Sequence, residues 1–127
     1  AAALEAIAAR IDGAPITRLP NADTRCAVVI EAVMHACHID PTVFWSRVRT
    51  DEVTVPRHIA AHALHCLLGL HLKSIARALH WGHHGSVIHA LRQVRNRRDV
   101  DPVFAEKLSL AMTAAHAAVA QMEGLSA

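Results

Sequence analysis

The chain has 127 residues, enough for one domain with a buried core, and its 13 Lys and Arg against 11 Asp and Glu give a formal net charge of +2. No apolar run reaches the roughly 18 residues of a membrane span. The three cysteines form no CxxC pair, and this argues against a disulfide framework or a cysteine-based zinc site and favours a cytoplasmic protein. Abundant Ala, only five Gly and little alternation of β-branched residues favour helix nearly everywhere, so we predict an all-α fold.

The first 22 residues are predicted to stand apart from the rest of the chain. The Ala-rich residues 2–11 favour a helix, and the segment 13–22, which contains two prolines, is typical of a linker. We therefore divide the chain into an N-terminal helix and linker over residues 1–22 and a helical domain over residues 23–122.

Capping residues and prolines delimit the helices of the next segment. The predicted elements are a helix over 23–37, a short helix over 41–45, a loop over 47–54 and a helix over 55–69. Asp40 is expected to cap the short helix, Pro56 to open the longer one and Gly69 to end it.

Residues 71–98 are predicted to form two helices separated by a Gly-containing turn, which is a helix-turn-helix. The second of these helices is expected over 84–97. A last helix follows over about 102–122, with an apolar stripe that begins at Val103. With the N-terminal helix, the chain is predicted to have six to seven helices arranged around the helix-turn-helix.

The second helix of this pair has two different faces. Val87, Leu91 and Val94 recur at the spacing of one helical face, with Ile88 beside them, and are expected to face the core. The opposite face carries the short hydrogen-bonding residues Ser86, His89, Gln93 and Asn96. Side chains of this kind suit the edges of bases, so the second helix is predicted to enter the major groove of double-stranded DNA.

Basic residues are concentrated in the middle of the chain. Residues 45–98 carry nine Lys and Arg against two acidic residues, a net charge of +7, whereas residues 1–44 and 99–127 have net charges of −2 and −3. A basic middle between acidic ends is typical of a surface that binds a polyanion.

Candidate DNA contacts follow from these patterns. Arg47 and Arg49 in the loop over 47–54 suit an arm that enters the minor groove. Arg57 and Lys73 are expected to begin helices, where backbone N–H groups can share a phosphate with the side chain. Some of the arginines from Arg92 to Arg98 are expected to reach phosphates. The predicted DNA-binding residues are Arg47, Arg49, Arg57, His58, Lys73, His83, His84, Ser86, His89, Arg92 and Gln93.

The segment 75–94, IARALHWGHHGSVIHALRQV, resembles the signature of domain IV, the DNA-binding domain of the bacterial replication initiator DnaA. The family's turn typically reads Gly-Gly-Arg-Asp-His-Thr-Thr and precedes an apolar pair, which Val87 and Ile88 match. PRHIAAHAL (56–64) is similar to the family's Pro-Arg-Gln helix start, and residues 28–49 resemble its first helix and basic loop. The resemblance covers roughly residues 26–115 and implies a domain IV or Trp-repressor-like fold that binds DNA.

Carried over residue by residue, the resemblance implies DNA contacts by His84, by Ser86 in place of a Thr, by Arg49 in the basic loop and by Arg57. Gly82 and His83 replace the Arg and Asp of the family's turn. No GxxxxGK[ST] phosphate loop occurs in these residues, so a standalone domain without the ATPase module is expected. We predict a regulator of replication or transcription.

Other readings of the sequence are an interaction module that kept the fold but binds a protein, and a metal sensor that uses His58, His62 and His65, which share one helical face. We predict no bound metal or other cofactor. No nucleophile, base and orienting group occur in a suggestive arrangement, so catalysis is not expected. Double-stranded DNA is the predicted partner, a membrane is not, and a homodimer through the terminal helices is possible.

Overall fold

A computed structural model describes residues 22–126 of the chain, with side chains over residues 24–124. Within these residues the protein consists of six helices without a strand, which confirms the predicted all-α fold. The helices are α1 (Ala22–Ala36), α2 (Pro41–Phe44), α3 (Asp51–Leu68), α4 (Leu72–Ala78), α5 (His84–Val100) and α6 (Pro102–Ser126). The predicted helix over 2–11 and nearly all of the linker lie outside the described residues.

Helix α3 is the centre of the domain because it contacts both the α1–α6 pair and the α4–α5 pair. Its inward side chains include Ile59 and Leu64, which are fully buried, and several alanines with no exposed surface. Small side chains on a central helix allow its neighbours to approach closely and fill the space with their own larger residues. Val29 and Val33 of α1 and Val87 of α5 occupy these positions and are also fully buried.

The ends of several helices form as the sequence predicts. A carboxylate oxygen of Asp40 accepts the backbone N–H of Thr42 at 2.7 Å and so caps α2. The carboxylate of Asp101 accepts the N–H of Phe104 at 3.1 Å at the start of α6. Gly69 ends α3 with a φ of +62°, in the left-handed region that glycine adopts without strain.

The predicted start of α3 at residue 55 was wrong, because the helix begins at Asp51. The carbonyl of Thr50 accepts the N–H groups of Val53 and Thr54 at 3.0 and 2.8 Å, and this closes the first turn. The acidic residues 51 and 52 also interact favourably with the helix dipole. Pro56 lies inside the helix, where it leaves unpaired only a carbonyl of the exposed first turn.

Two apolar residues that were predicted to face the core are exposed. Ile88 is 38% exposed and Val103 is 75% exposed. In α5 the buried face is completed by Ala90 rather than Ile88, at the i, i+3, i+7 spacing from Val87 to Val94. In α6 the buried face begins at Phe104.

Candidate nucleic-acid interface

The turn between α4 and α5 is held by backbone and side-chain hydrogen bonds. His80 adopts a φ of +60° after α4, and the N–H of Trp81 returns to the carbonyl of Ala76 at 2.8 Å. The Nδ1 atom of His83 then accepts the N–H of Gly85 at 2.9 Å, which caps α5. A side chain at Gly85 would bring its Cβ within 2.7 Å of that Nδ1, so the cap requires glycine here.

Capping restricts what His83 can offer to a ligand. Because Nδ1 accepts a hydrogen bond, its proton must lie on Nε2, which is the ring atom left to donate elsewhere. The His83 ring also stacks on the ring of His84, with centroids 4.8 Å apart and planes 16° apart. Both side chains are exposed at the N-terminus of α5.

An open cleft of about 1130 Å³ lies between the loop before α3, the face of α3, and the start of α5. Residues far apart in the sequence meet here, since the loop contributes Arg47 and the turn contributes Trp81. Seven of the predicted DNA-binding residues line the cleft: Arg47, Arg49, Arg57, His58, His83, Ser86 and His89. An open cleft with cationic and hydrogen-bonding walls can receive an extended, negatively charged ligand.

Arg57 holds the loop that forms one wall of the cleft. Its guanidinium donates to the carbonyls of Phe44 and Val48, both at 2.8 Å, and to the carbonyl of Ser46. Burial, and then the positive charge of Arg49, lower its pKa. The prediction that Arg57 begins a helix was wrong, because it lies in the second turn of α3. Its donors are bound to the protein's own backbone, which leaves the exposed Arg47 and Arg49 at the rim of the cleft.

His58 and His89 meet at the floor of the cleft, with ring centroids 5.7 Å apart and planes 83° apart. The pKa of His58 is lowered from 6.5 to about 4, first by burial and then by the positive charges of His89 and Arg97. His58 is therefore neutral near pH 7 and can offer one donor and one acceptor but no charge.

Four of the predicted residues do not line the cleft. Lys73 is exposed in the first turn of α4, and His84 is exposed as the first residue of α5. Arg92 is exposed and Gln93 is half-buried farther along α5. These four residues therefore extend the polar surface beyond the cleft and do not form part of its walls.

The arginines of α5 divide into two pairs. Arg97 lies 3.5 Å from a carboxylate oxygen of Asp101, and its guanidinium lies 5.0 Å from the centre of the Phe104 ring. Arg98 lies 3.8 Å from Asp99. Arg92 and Arg95 are exposed, and within residues 24–124 neither forms an ion pair.

Aromatic residues of the cleft were not among the predicted site residues. Trp45 is 40% exposed, and its ring lies against that of His80 with centroids 4.7 Å apart and planes tilted by 31°. Its other neighbour is Phe44, whose ring it meets edge-on at 4.9 Å. The signal available in the sequence was an aromatic residue close before the basic loop. The contact of Trp45 with His80 joins residues far apart in the chain, so it has no signature in the sequence.

The histidines of α3 do not assemble a metal site. Nε2 of His62 lies 3.5 Å from Sγ of Cys66, one helical turn later. In the part of the chain that the structure describes, no group of three or more His, Cys, Asp or Glu is arranged to hold a metal ion. No helix among these residues is long and apolar enough to cross a bilayer.

Comparison with known protein families gives one match over more than half of the chain. Residues 26–94 match a family model described as the bacterial dnaA protein helix-turn-helix. The matched range includes α4, α5 to Val94, and every residue that lines the cleft. Comparisons with curated proteins and with solved structures gave no match.

Proposed function

The chain belongs to the bacterial DnaA helix-turn-helix family, a family of DNA-binding domains, and from this we propose that it binds double-stranded DNA with α5 in the major groove. Family membership also supports a binding role rather than catalysis. We further infer that the protein is a cytoplasmic regulator of replication or transcription.

One observation carries this proposal: the loop arginines, the start of α5 and the central helix converge on one open cleft. Residues 45–98, which include all but one of the residues that line this cleft, have a net charge of +7. A duplex carries one negative charge for about every 1.7 Å of its axis, so a basic surface of this kind is attracted to it at any sequence.

The contacts are proposed to divide by the structural element that carries each residue. Ser86 and His89 are exposed on the first turns of α5, where they can meet the edges of bases. Arg47 and Arg49 are free to reach an adjacent minor groove or its phosphates. Arg92 is free to bind the backbone beside the groove.

Binding of a labelled random-sequence duplex, followed by fluorescence anisotropy over a range of salt concentrations, tests the proposal. The five exposed cations proposed to meet phosphates are Arg47, Arg49, Lys73, Arg92 and Arg95. If all five neutralise phosphates, log K falls against log salt with a slope of about −4 to −5. A slope near zero, or no binding by a chain whose circular dichroism is helical, contradicts the proposal.

A matched pair of variants separates the effect of this surface on binding from the effect of the total charge. Arg49→Gln, at the rim of the cleft, is expected to weaken binding, whereas Arg77→Gln removes the same charge from an exposed arginine of α4 that does not line the cleft. Equal losses from both variants would mean that total charge, and not this surface, determines binding.

The two alternative functions predict different results, one in the duplex-binding assay and one in thermal melting. A protein-interaction module that kept the fold would not bind duplexes at low salt. The metal-sensor alternative, which uses His58, His62 and His65, requires a melting temperature that depends on zinc.

A further inference from the structure

Trp45 and His80 lie between two open clefts of the domain. Both residues line the cleft of about 1130 Å³ described above, the larger cleft, and a second cleft of about 610 Å³ between α1, α2 and α4. Both side chains are exposed, and their ring centroids are 4.7 Å apart. We name this pair of rings the aromatic ridge. A broad, flat surface of this kind gains most from a ligand that presents a flat ring of its own.

The backbone fixes both residues of the aromatic ridge. The N–H of Trp45 donates to the carbonyl of Pro41 at 3.0 Å, where α2 ends. The N–H of His80 donates to the carbonyl of Arg77 at 3.2 Å, where α4 ends. Phe44 meets the Trp45 ring edge-on and is almost completely buried. Because these residues are already held in place, a ligand that stacks on the ridge orders little additional structure.

Two exposed arginines follow Trp45 at alternate positions of the loop. Arg47 and Arg49 line the larger cleft together with Trp45. The residues between and beside them, 44, 46 and 48, are those whose carbonyls accept hydrogen bonds from Arg57 of α3. The loop is therefore tied to the central helix while it presents one large ring and two cations to the same cleft.

The charge of the larger cleft indicates which kind of ring it can receive. Three arginines line it, and no Asp or Glu does so among the residues that the structure describes. A cation attracted to the face of a tryptophan would be repelled by these arginines. A flat ring attached to negative charge is favoured instead, and a nucleotide combines the two.

We propose that the larger cleft binds single-stranded nucleic acid, with an unpaired base stacked against the aromatic ridge and neighbouring phosphates on Arg47 and Arg49. In a duplex each base is already stacked between its neighbours, so only an unpaired base gains from contact with Trp45. The proposal holds whether or not the chain also binds a duplex. Single strands and duplexes are expected to compete, because both use the loop arginines.

Strands with and without bases test the proposal. A single strand of about 12 deoxyuridines is compared with an abasic strand of equal length, which keeps the phosphates and lacks the bases. In fluorescence anisotropy at low salt, the full chain is expected to bind oligo(dU) at least about fivefold more tightly than the abasic strand. Trp45→Ala is expected to remove this difference, whereas Trp45→Phe keeps most of it because a flat ring remains.

Tryptophan fluorescence locates the base. The chain has two tryptophans, Trp45 and Trp81, and both line the larger cleft. In Trp81→Phe the emission comes from Trp45 alone, and we expect oligo(dU) to quench it while the abasic strand leaves it nearly unchanged. Leu110→Ala, at an exposed position of α6 outside the cleft, is the control and leaves the affinity for both strands unchanged.

DNA and RNA strands offer the same kind of base and phosphate, and a third strand distinguishes them. Oligo(rU) of the same length differs from oligo(dU) only in its 2′-hydroxyl groups. The strand with the larger gain from Trp45 identifies the source of the base, and equal gains mean that the cleft accepts either.

Equal affinities for oligo(dU) and the abasic strand overturn the proposal, as does no binding of either strand by a chain whose circular dichroism is helical. A preference for bases that survives Trp45→Ala, or quenching confined to Trp81, overturns it as well. If Trp45→Ala fails to fold, the abasic comparison and the quenching in Trp81→Phe still decide. A blunt duplex is measured on the same variants; its failure to bind contradicts only the proposed function.

Discussion

Two arginine-containing regions of this domain differ in what their cations do. At the loop before α3, Arg57 of that helix donates to three backbone carbonyls, and this leaves Arg47 and Arg49 exposed at the rim of the cleft. At the end of α5 the cations are instead paired with carboxylates, as Arg97 is with Asp101. The number of arginines in a segment therefore does not give the number that are available to a ligand.

Removal of Arg57 is expected to have the largest effect on stability. Arg57→Gln leaves carbonyls of the loop without their charged donor, and we expect the free energy of unfolding to fall by about 2–3 kcal/mol in urea denaturation. Arg57→Lys is expected not to restore it, because an ammonium group cannot match the planar fork of the guanidinium. Arg77→Gln is the control; an equal loss there would show that the loop contacts contribute little.

His58 lies between the two regions, and its protonation makes the domain sensitive to acid. Its pKa is about 4 in the folded chain and 6.5 when unperturbed, so the unfolded state binds more protons between these values. The free energy of unfolding is therefore expected to fall as the pH drops from 6.5 towards 4, by about 1–2 kcal/mol.

His58→Gln removes this titration and is expected to flatten the pH profile of the free energy of unfolding. The profile is measured by denaturation at several pH values between 4 and 7. If the variant keeps the slope of the unsubstituted chain, another group is responsible for the acid sensitivity.

Removal of the two exposed loop arginines is expected to change binding but not stability. The double variant Arg47→Gln, Arg49→Gln should reduce the slope of log K against log salt by about 2 and weaken binding to all duplexes alike. Its free energy of unfolding should stay within about 0.5 kcal/mol of the unsubstituted chain. A loss of stability with unchanged binding would reverse the roles assigned to Arg57 and its neighbours.

Removal of Arg97 is expected to have the smallest effect. Its ion pair is partly exposed, so Arg97→Gln should lower the free energy of unfolding by less than about 1 kcal/mol. Because Arg97 is already paired, the variant should reduce duplex affinity less than Arg92→Gln does. If Arg97→Gln gives the larger loss of affinity, the end of α5 contacts the duplex more closely than its first turns.

The helices were predictable because their signals are local. The spacing of apolar residues predicted α1 and α5, and Asp40 directly before a proline predicted the start of α2. The family resemblance, drawn from the turn and second helix, is confirmed over residues 26–94. The proposed division at residue 22 stays a prediction.

What the sequence did not predict depends on contacts between distant residues. The role of Arg57, for example, depends on carbonyls 9–13 residues away in the sequence. The start of α3 was misplaced because Pro56 was read as the first helical residue, although Thr50 closes an earlier turn. The contact of Trp45 with His80 joins two turns that only the packing of α2 against α1 and α3 brings together.

Amide chemical shifts test most directly whether the cleft between the loop and α5 is the DNA-binding surface. A uniformly ¹⁵N-labelled chain is titrated with a short duplex in low salt. The largest shifts are expected at residues 46–49 and 83–89, with little change over 111–124. Largest shifts on α6 or α1, with the amides of the cleft unmoved, would contradict the account.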